Sequence, residues 1–274
     1  MTSRLYGVIA AIATPIDETG NPDAARFVKL ARHLLENGCD GLNVLGTTGE
    51  ATSFGVEQRL SLMQAVARSG LDMERLMVGT GAAAVADAAR LTAAAEGLGF
   101  AGALVLPPFY YKGIQAPEAG IVDCFREIAA AASKVPLYLY NFPAMTGIAY
   151  TPSLVRALIA ALPGRIAGLK DSSGNLAYAR EIASISPDLA VFPSSEEVLL
   201  EARNGAFAGC ISATANLNSA FCAAAFHGGD EVAYAKAVAV RKLFDGKPLV
   251  SGVKAVLAHV HGDPALAATR PPLV

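Results

Sequence analysis

The chain has 274 residues, 53% of them hydrophobic and 17% charged, with a formal net charge of -2. That balance supports a large buried core and leaves few residues for a solvated arm. With neither a basic stripe nor an acidic tail, it carries no electrostatic footprint for nucleic acid.

The opening segment MTSRLYGVIAAIATP holds one apolar run that stops at Pro15. The run is too short for a membrane span and has no cleavage site behind it. It reads as a first strand over 7–14 of a cytoplasmic protein. Further apolar runs, predicted as strands, follow at 41–45, 75–80, 102–106, 136–140, 165–170, 189–193 and 207–212. None alternates with polar residues, which is the pattern of strands buried on both faces. Between them lie Ala-rich stretches predicted as helices near 23–37, 56–69, 84–98, 117–133, 152–162, 175–185, 196–204 and 215–227. Pro117 and Pro152 suit first-turn positions, and Thr151 suits an N-cap. Gly38, Gly70 and Gly99 sit where helices end. Two more helices are expected over 230–245 and 251–261.

Eight strands alternating with eight helices imply a parallel sheet closed into an α/β fold of the (β/α)8 TIM-barrel type, with extra C-terminal helices. An open doubly wound sheet normally carries a GxGxxG turn after its first strand, and here that turn reads ATPIDETG. No low-complexity linker divides the chain. The expectation is one domain: a barrel over 1–228 and a helical extension over 229–274 packed on it. Cys39, Cys124, Cys210 and Cys222 show no CxxC spacing and lie in apolar runs, the usage of buried, reduced thiols in the cytoplasm.

A barrel builds its site from the loops after the strands. After the second strand comes Gly46-Thr47-Thr48-Gly49-Glu50. Its glycines allow close approach and its successive N–H groups suit a small carboxylate; the alternative is a plain turn. After the fourth comes Pro107-Pro108-Phe109-Tyr110-Tyr111-Lys112, a stiff aromatic loop that suits an interface or a site. After the fifth comes Tyr140-Asn141-Phe142-Pro143. Its tyrosine can move protons if its usual pKa of about 10 is tuned, or can simply pack its ring. The sixth strand ends on Lys170, followed by Asp171-Ser172-Ser173-Gly174. Lysine is almost never fully buried without a partner. Desolvation of an amine frees a neutral nucleophile for imine formation; the alternative is an ammonium that snorkels out or pairs with Asp171. His33, His227, His259 and His261 fall at no predicted strand end among acidic partners, which argues against a catalytic metal. Gly79-Thr80-Gly81 has no phosphate-binding lysine beside it. Ser194-Ser195-Glu196-Glu197 reads as the cap of the following helix.

Taken together, GTTGE, PPFYYK, YNFPAMTG, GLKDSSGN and CISATAN, in that order, resemble the dihydrodipicolinate synthase/N-acetylneuraminate lyase family of class I aldolases. The likeness runs from Gly7 to the terminal Arg270-Pro271-Pro272-Leu273. It implies a (β/α)8 barrel with extra C-terminal helices and a homotetramer built as a dimer of tight dimers. It implies that Lys170 forms the Schiff base and that Tyr140 shuttles protons. Thr47 would link hydroxyls in a relay, and Tyr110 would cross to the neighbouring subunit to complete that relay. Gly46, Thr47 and Thr48 would hold the carboxylate of pyruvate, and Ile211 would line the pocket near the bound keto acid. No metal or organic cofactor is implied.

The chain departs from the family pattern where dihydrodipicolinate synthases carry an arginine. Met145 stands there, and a thioether makes no bidentate bond to a carboxylate. Ala51, Ala83 and Phe109 replace polar groups at the lysine-inhibition site, which argues against that regulation. The carboxylate loop reads Thr47-Thr48, where N-acetylneuraminate lyases usually read serine–threonine. The expected activity is a pyruvate-dependent aldolase that cleaves or forms a 2-keto-3-deoxy acid, with pyruvate and an aldehyde as its small-molecule partners. The alternatives are a 4-hydroxy-tetrahydrodipicolinate synthase, a dehydratase using the same imine, or a non-catalytic keto-acid sensor.

Overall fold

The computed structural model describes residues 5–111 and 117–273, so Lys112 of the aromatic loop lies outside the described residues. Eight strands form one parallel sheet: β1 (Gly7–Ala11), β2 (Gly41–Val44), β3 (Leu76–Gly79), β4 (Gly102–Val105), β5 (Leu137–Asn141), β6 (Ile166–Asp171), β7 (Ala190–Pro193) and β8 (Gly209–Ser212). They run in the order β7-β6-β5-β4-β3-β2-β1-β8. A backbone bond of 2.9 Å from the Ala208 N–H to the Val191 carbonyl joins the two ends and closes the ring. Apart from Ile166 and Ala167 every strand residue is buried, which is why the sequence shows apolar runs rather than alternation.

The helices between the strands are α1 (Ala24–Glu36), α2 (Val56–Arg68), α3 (Val85–Gly97), α4 (Glu118–Ala131), α5 (Pro143–Thr146), α6 (Pro152–Ala161), α7 (Leu176–Ala183), α8 (Leu199–Arg203) and α9 (Ala215–Gly228). Two more, α10 (Glu231–Lys242) and α11 (Leu249–His261), complete the C-terminal region and pack on α9. Thr151 caps α6 by accepting from the Leu154 N–H at 3.1 Å, with Pro152 at the first helical position. Such a cap typically contributes about 1 kcal/mol.

Several expectations needed correction. Pro117 stands at the N-cap of α4 and not in its first turn, a position that likewise needs no intrahelical N–H. The first strand stops at Ala11, because the chain turns at Pro15 into a loop where Ile16 bridges Pro22. The stretch 196–204 splits into a 3-10 turn, Glu196–Val198, and the short α8. The one-turn α5 was not anticipated; Pro143 starts it and Gly147, at φ 73°, stops it.

The interior is filled in levels by alternate strands. Leu42, Val44, Leu139, Leu169 and Cys210 face the helices. Their strand neighbours Asn43, Tyr140, Lys170 and Ile211 therefore face inward. Lower in the barrel Tyr138 fills the lumen, and glycines on its two neighbouring strands make room for it. A Cβ would lie 2.5 Å from its ring at Gly102 and 2.7 Å at Gly168. Strand register then brings Asn43, Leu104, Lys170 and Ile211 to one level near the mouth. Among the described residues no helix is long and apolar enough to cross a membrane.

Candidate active site

Tyr140 and Lys170 are register partners on β5 and β6. Both are buried, at 4% and 3% exposure, at the end of the barrel where the strands finish. The Lys170 Nζ lies 4.5 Å from the centroid of the Tyr140 ring. No carboxylate pairs with it among the described residues. Asp171, the partner that a structural lysine would have taken, is committed elsewhere. It accepts from the Asn141 amide at 2.7 Å and from the Ser173 hydroxyl at 2.9 Å. The snorkelling and ion-paired readings of Lys170 are therefore excluded by its burial and by the engagement of Asp171.

The Tyr140 hydroxyl lies 3.1 Å from the Thr47 Oγ1. Burial opposes ionisation of this phenol. The charge of Lys170 and hydrogen bonds from Thr47 and Ser172 more than offset it, so the pKa falls below the ordinary phenol value. An amine without a counter-carboxylate, next to a phenol made easier to ionise, is the pairing that addition to a carbonyl requires.

Thr47 sits on a tight turn after β2. The Glu50 N–H donates to the Thr47 carbonyl at 3.0 Å, and the Ala51 N–H to the Gly46 carbonyl at 3.2 Å. Leu45 and Glu50 bracket the turn in the left-handed region, at φ 53° and 54°. A Cβ at Gly46 would lie 2.6 Å from the Asn43 Nδ2, so a side chain there would have to displace that amide. Thr48 is buried within the turn. Gly46, Thr47, Leu104, Leu106 and Tyr140 line a cleft with about 330 Å³ of empty space, part of it open to solvent.

The turn is held from below. The Glu50 Oε1 pairs with the Lys254 Nζ at 2.5 Å, and both side chains are within 1% of full burial. The same ammonium donates to the Thr14 carbonyl at 2.9 Å, and the second Glu50 oxygen accepts from the Arg270 N–H at 2.6 Å. Burial pushes the Lys254 ammonium below its ordinary pKa, and Glu50 opposes that shift only in part.

The remaining expected residues divide into two groups. Ile211, fully buried, shares the level of Lys170. Met145 stands on α5 at 68% exposure, and Tyr110 at 95% exposure with φ 74°, so neither is brought against Lys170 within the chain. Sequence reasoning missed Ser172, the Asn141–Asp171 pair, Asn43 and Lys254. Asn43 was signalled by being the one polar residue in GLNVL, and Lys254 by being the one cation in LVSGVKAVLAHV. Ser195 does cap the turn after β7, through the Glu197 N–H. Glu196, read with it as a cap, instead lies fully buried, its Oε1 accepting from Ser212 at 2.8 Å and Thr214 at 2.5 Å. His227, on α9 and not at a strand end, lies 3.0 Å from Asp40. That pair lies at the opposite end of the barrel, where Asp40 also accepts from the Val8 N–H at 2.7 Å.

Residues 4–274 match the model of the dihydrodipicolinate synthetase family. An uncharacterized DapA-like lyase of Chloroflexus aurantiacus is 34% identical over 275 residues, covering 97% of this chain and 90% of that protein. The crystal structure of dihydrodipicolinate synthase from Agrobacterium tumefaciens superposes with a TM-score of 0.90 at 29% identity, covering 98% of this chain and 93% of that one. A prophage protein of the dihydrodipicolinic acid synthase family from E. coli K12, solved in complex with pyruvate, gives 0.89 at 25% identity over 99% and 93%.

Proposed function

This chain belongs to the dihydrodipicolinate synthetase family of lyases, and on that premise we propose that it is a pyruvate-dependent class I aldolase that cleaves or forms a 2-keto-3-deoxy acid, with Lys170 as the imine-forming residue. The observation that carries this reading is the buried Lys170 amine beside a Tyr140 phenol that is itself 3.1 Å from Thr47. The pyruvate bound to the E. coli relative supports the choice of keto acid.

In the cleavage direction, the lone pair of the Lys170 amine adds to C2 of the keto acid. The hydroxyl of the carbinolamine takes a proton from Tyr140 and leaves as water, so that a protonated imine and an ionised Tyr140 remain. Ionised Tyr140 takes the proton of the C4 hydroxyl. The C3–C4 bond then breaks, its electron pair moves toward the imine, and the aldehyde departs. The enamine left behind takes a proton at C3 from Tyr140. Water then adds to the imine, releasing pyruvate and the free amine, and the remaining proton returns to Tyr140. The N–H groups of the Gly46-Thr47-Thr48 turn hold the carboxylate throughout, and Ile211 closes the apolar side of the site.

Tyr110 belongs to the same proposal as a relay group given to a neighbouring subunit. A tyrosine held at φ 74° with 95% of its surface free has no packing reason for that strain within its own chain. A homotetramer of dimers supplies the neighbour. A cytoplasmic location accords with Cys39, Cys210 and Cys222, which are buried and unpaired.

Likeness to the Agrobacterium synthase favours a second reading, 4-hydroxy-tetrahydrodipicolinate synthase. Met145 weighs against it, because no guanidinium at that position grips the substrate carboxylate. Two assays decide. Pyruvate plus borohydride, followed by mass spectrometry, gives a reduced adduct on Lys170; folded protein without that adduct refutes the imine. A panel then compares pyruvate release from keto-deoxy acids with condensation of pyruvate and aspartate semialdehyde. Robust condensation selects the synthase.

A further inference from the structure

We propose that Lys254 is a positioning residue for the carboxylate-binding turn: through its buried ion pair with Glu50 it couples α11 to the placement of Thr47 and Thr48. The proposal rests on the Schiff-base reading above and deepens it, by assigning a role in substrate handling to a residue outside the barrel repeat.

A fully buried Lys–Glu pair is weak evidence of a contribution to stability. Desolvation offsets most of the attraction, and apolar residues of similar volume often serve a core as well or better. What such a pair does impose is geometry, and here its geometry is fully determined. The ammonium has two acceptors, Glu50 Oε1 at 2.5 Å and the Thr14 carbonyl at 2.9 Å. Each Glu50 oxygen has a donor, the second being the Arg270 N–H at 2.6 Å. One charged contact thus joins the loop after β1, the turn after β2 and the C-terminal segment.

The point of attachment gives this contact its effect on the site. Glu50 is the last residue of the turn, at φ 54°, a conformation that a non-glycine residue holds only when its surroundings enforce it. Its own N–H donates to the Thr47 carbonyl at 3.0 Å, and the Thr47 hydroxyl is 3.1 Å from Tyr140. Fixing the Glu50 side chain from below therefore fixes the peptide that carries Thr47 and the N–H groups aimed at the carboxylate. Lys254, at 1% exposure, has no route to the substrate itself and acts only through Glu50.

The test uses the full chain and the borohydride adduct on Lys170, measured against the concentration of two ketones. Pyruvate has the carboxylate, and hydroxyacetone lacks it. Lys254→Met leaves the Glu50 carboxylate buried without its counter-charge and can disturb folding. The double variant Lys254→Met/Glu50→Gln removes both charges together and keeps the experiment decisive, because no uncompensated buried charge remains. The expected result, in whichever of the two variants unfolds cooperatively, is an increase of at least about tenfold in half-saturating pyruvate, equivalent to about 1.4 kcal/mol, with hydroxyacetone moved by less than about twofold. Equal weakening for both ketones would mean a general distortion of the site and overturns the proposal. So does a pyruvate dependence that stays at its wild-type value. If the wild-type chain gives no adduct with either ketone, the Schiff-base reading fails and this inference with it. A wild-type adduct with an unmoved variant removes this inference alone.

Discussion

Asn141 and Asp171 are register partners one step beyond Tyr140 and Lys170, and the Asn141 amide donates to the Asp171 Oδ1 at 2.7 Å. The Asn141 Oδ1 in turn accepts from the Tyr150 N–H at 3.0 Å, and Asp171 also takes the Ser173 N–H at 3.1 Å. The two strand ends that present the amine and the phenol are thus tied to each other immediately behind those residues. Asp171→Ala strands a buried amide and frees both ends. It is expected to cost about 1–3 kcal/mol in urea unfolding and to lower turnover as well. A variant as stable as the wild type would show that this pair holds nothing in place.

The Tyr140–Thr47 contact makes a graded prediction. Tyr140→Phe removes the proton-transfer group and is expected to lower kcat by about 10²–10⁴-fold. Thr47→Val keeps the shape but removes the hydroxyl, and is expected to lower kcat by roughly tenfold, the worth of one hydrogen bond. Steady-state rates on pyruvate release order the two. A Thr47→Val rate equal to that of the wild type removes Thr47 from the relay.

Tyr110 has almost no contact with its own chain, so its removal is expected to leave the fold untouched. Tyr110→Phe should lower turnover with the thermal midpoint unchanged, and mixing it with a Lys170→Ala chain should restore part of the activity in hybrid dimers. Full activity of Tyr110→Phe alone contradicts a relay across the interface.

Glu196 predicts a pH dependence of stability. Burial raises its carboxyl pKa above the unfolded value of 4.5, and the hydrogen bonds from Thr214 and Ser212 oppose this only in part. The folded chain therefore holds that proton more tightly than the unfolded chain does. The resulting stabilisation is complete below the unfolded pKa and is lost as pH rises through the higher folded one. Glu196→Gln abolishes this titration. The melting temperature of the wild type minus that of Glu196→Gln is expected to fall as pH rises from the unfolded value of 4.5 through the higher folded one. A difference independent of pH would mean that Glu196 does not titrate in that range.

The order of elements was legible in the sequence because burial on both faces leaves an unbroken apolar run for each strand, and because caps such as Thr151 act on the residues next to them. The place of Lys170 at a strand end followed from the same local pattern, and with it the neighbourhood of Tyr140 one strand earlier. Local pattern does not choose partners. Whether Lys170 paired with the adjacent Asp171 was open until the structure gave Asp171 to Asn141, 30 residues away. Glu196, read as part of a helix cap, became a buried acid only once β8 and α9 packed Ser212, Thr214 and Asn218 around it. Lys254 and Glu50, 204 residues apart, meet only because the chain beyond β8 folds back and brings α11 against the loops after β1 and β2. Periodicity and capping are set by neighbours along the chain and can be read there. The pairing of buried charges is set by which side chains leave water together, and only the closed tertiary structure decides that.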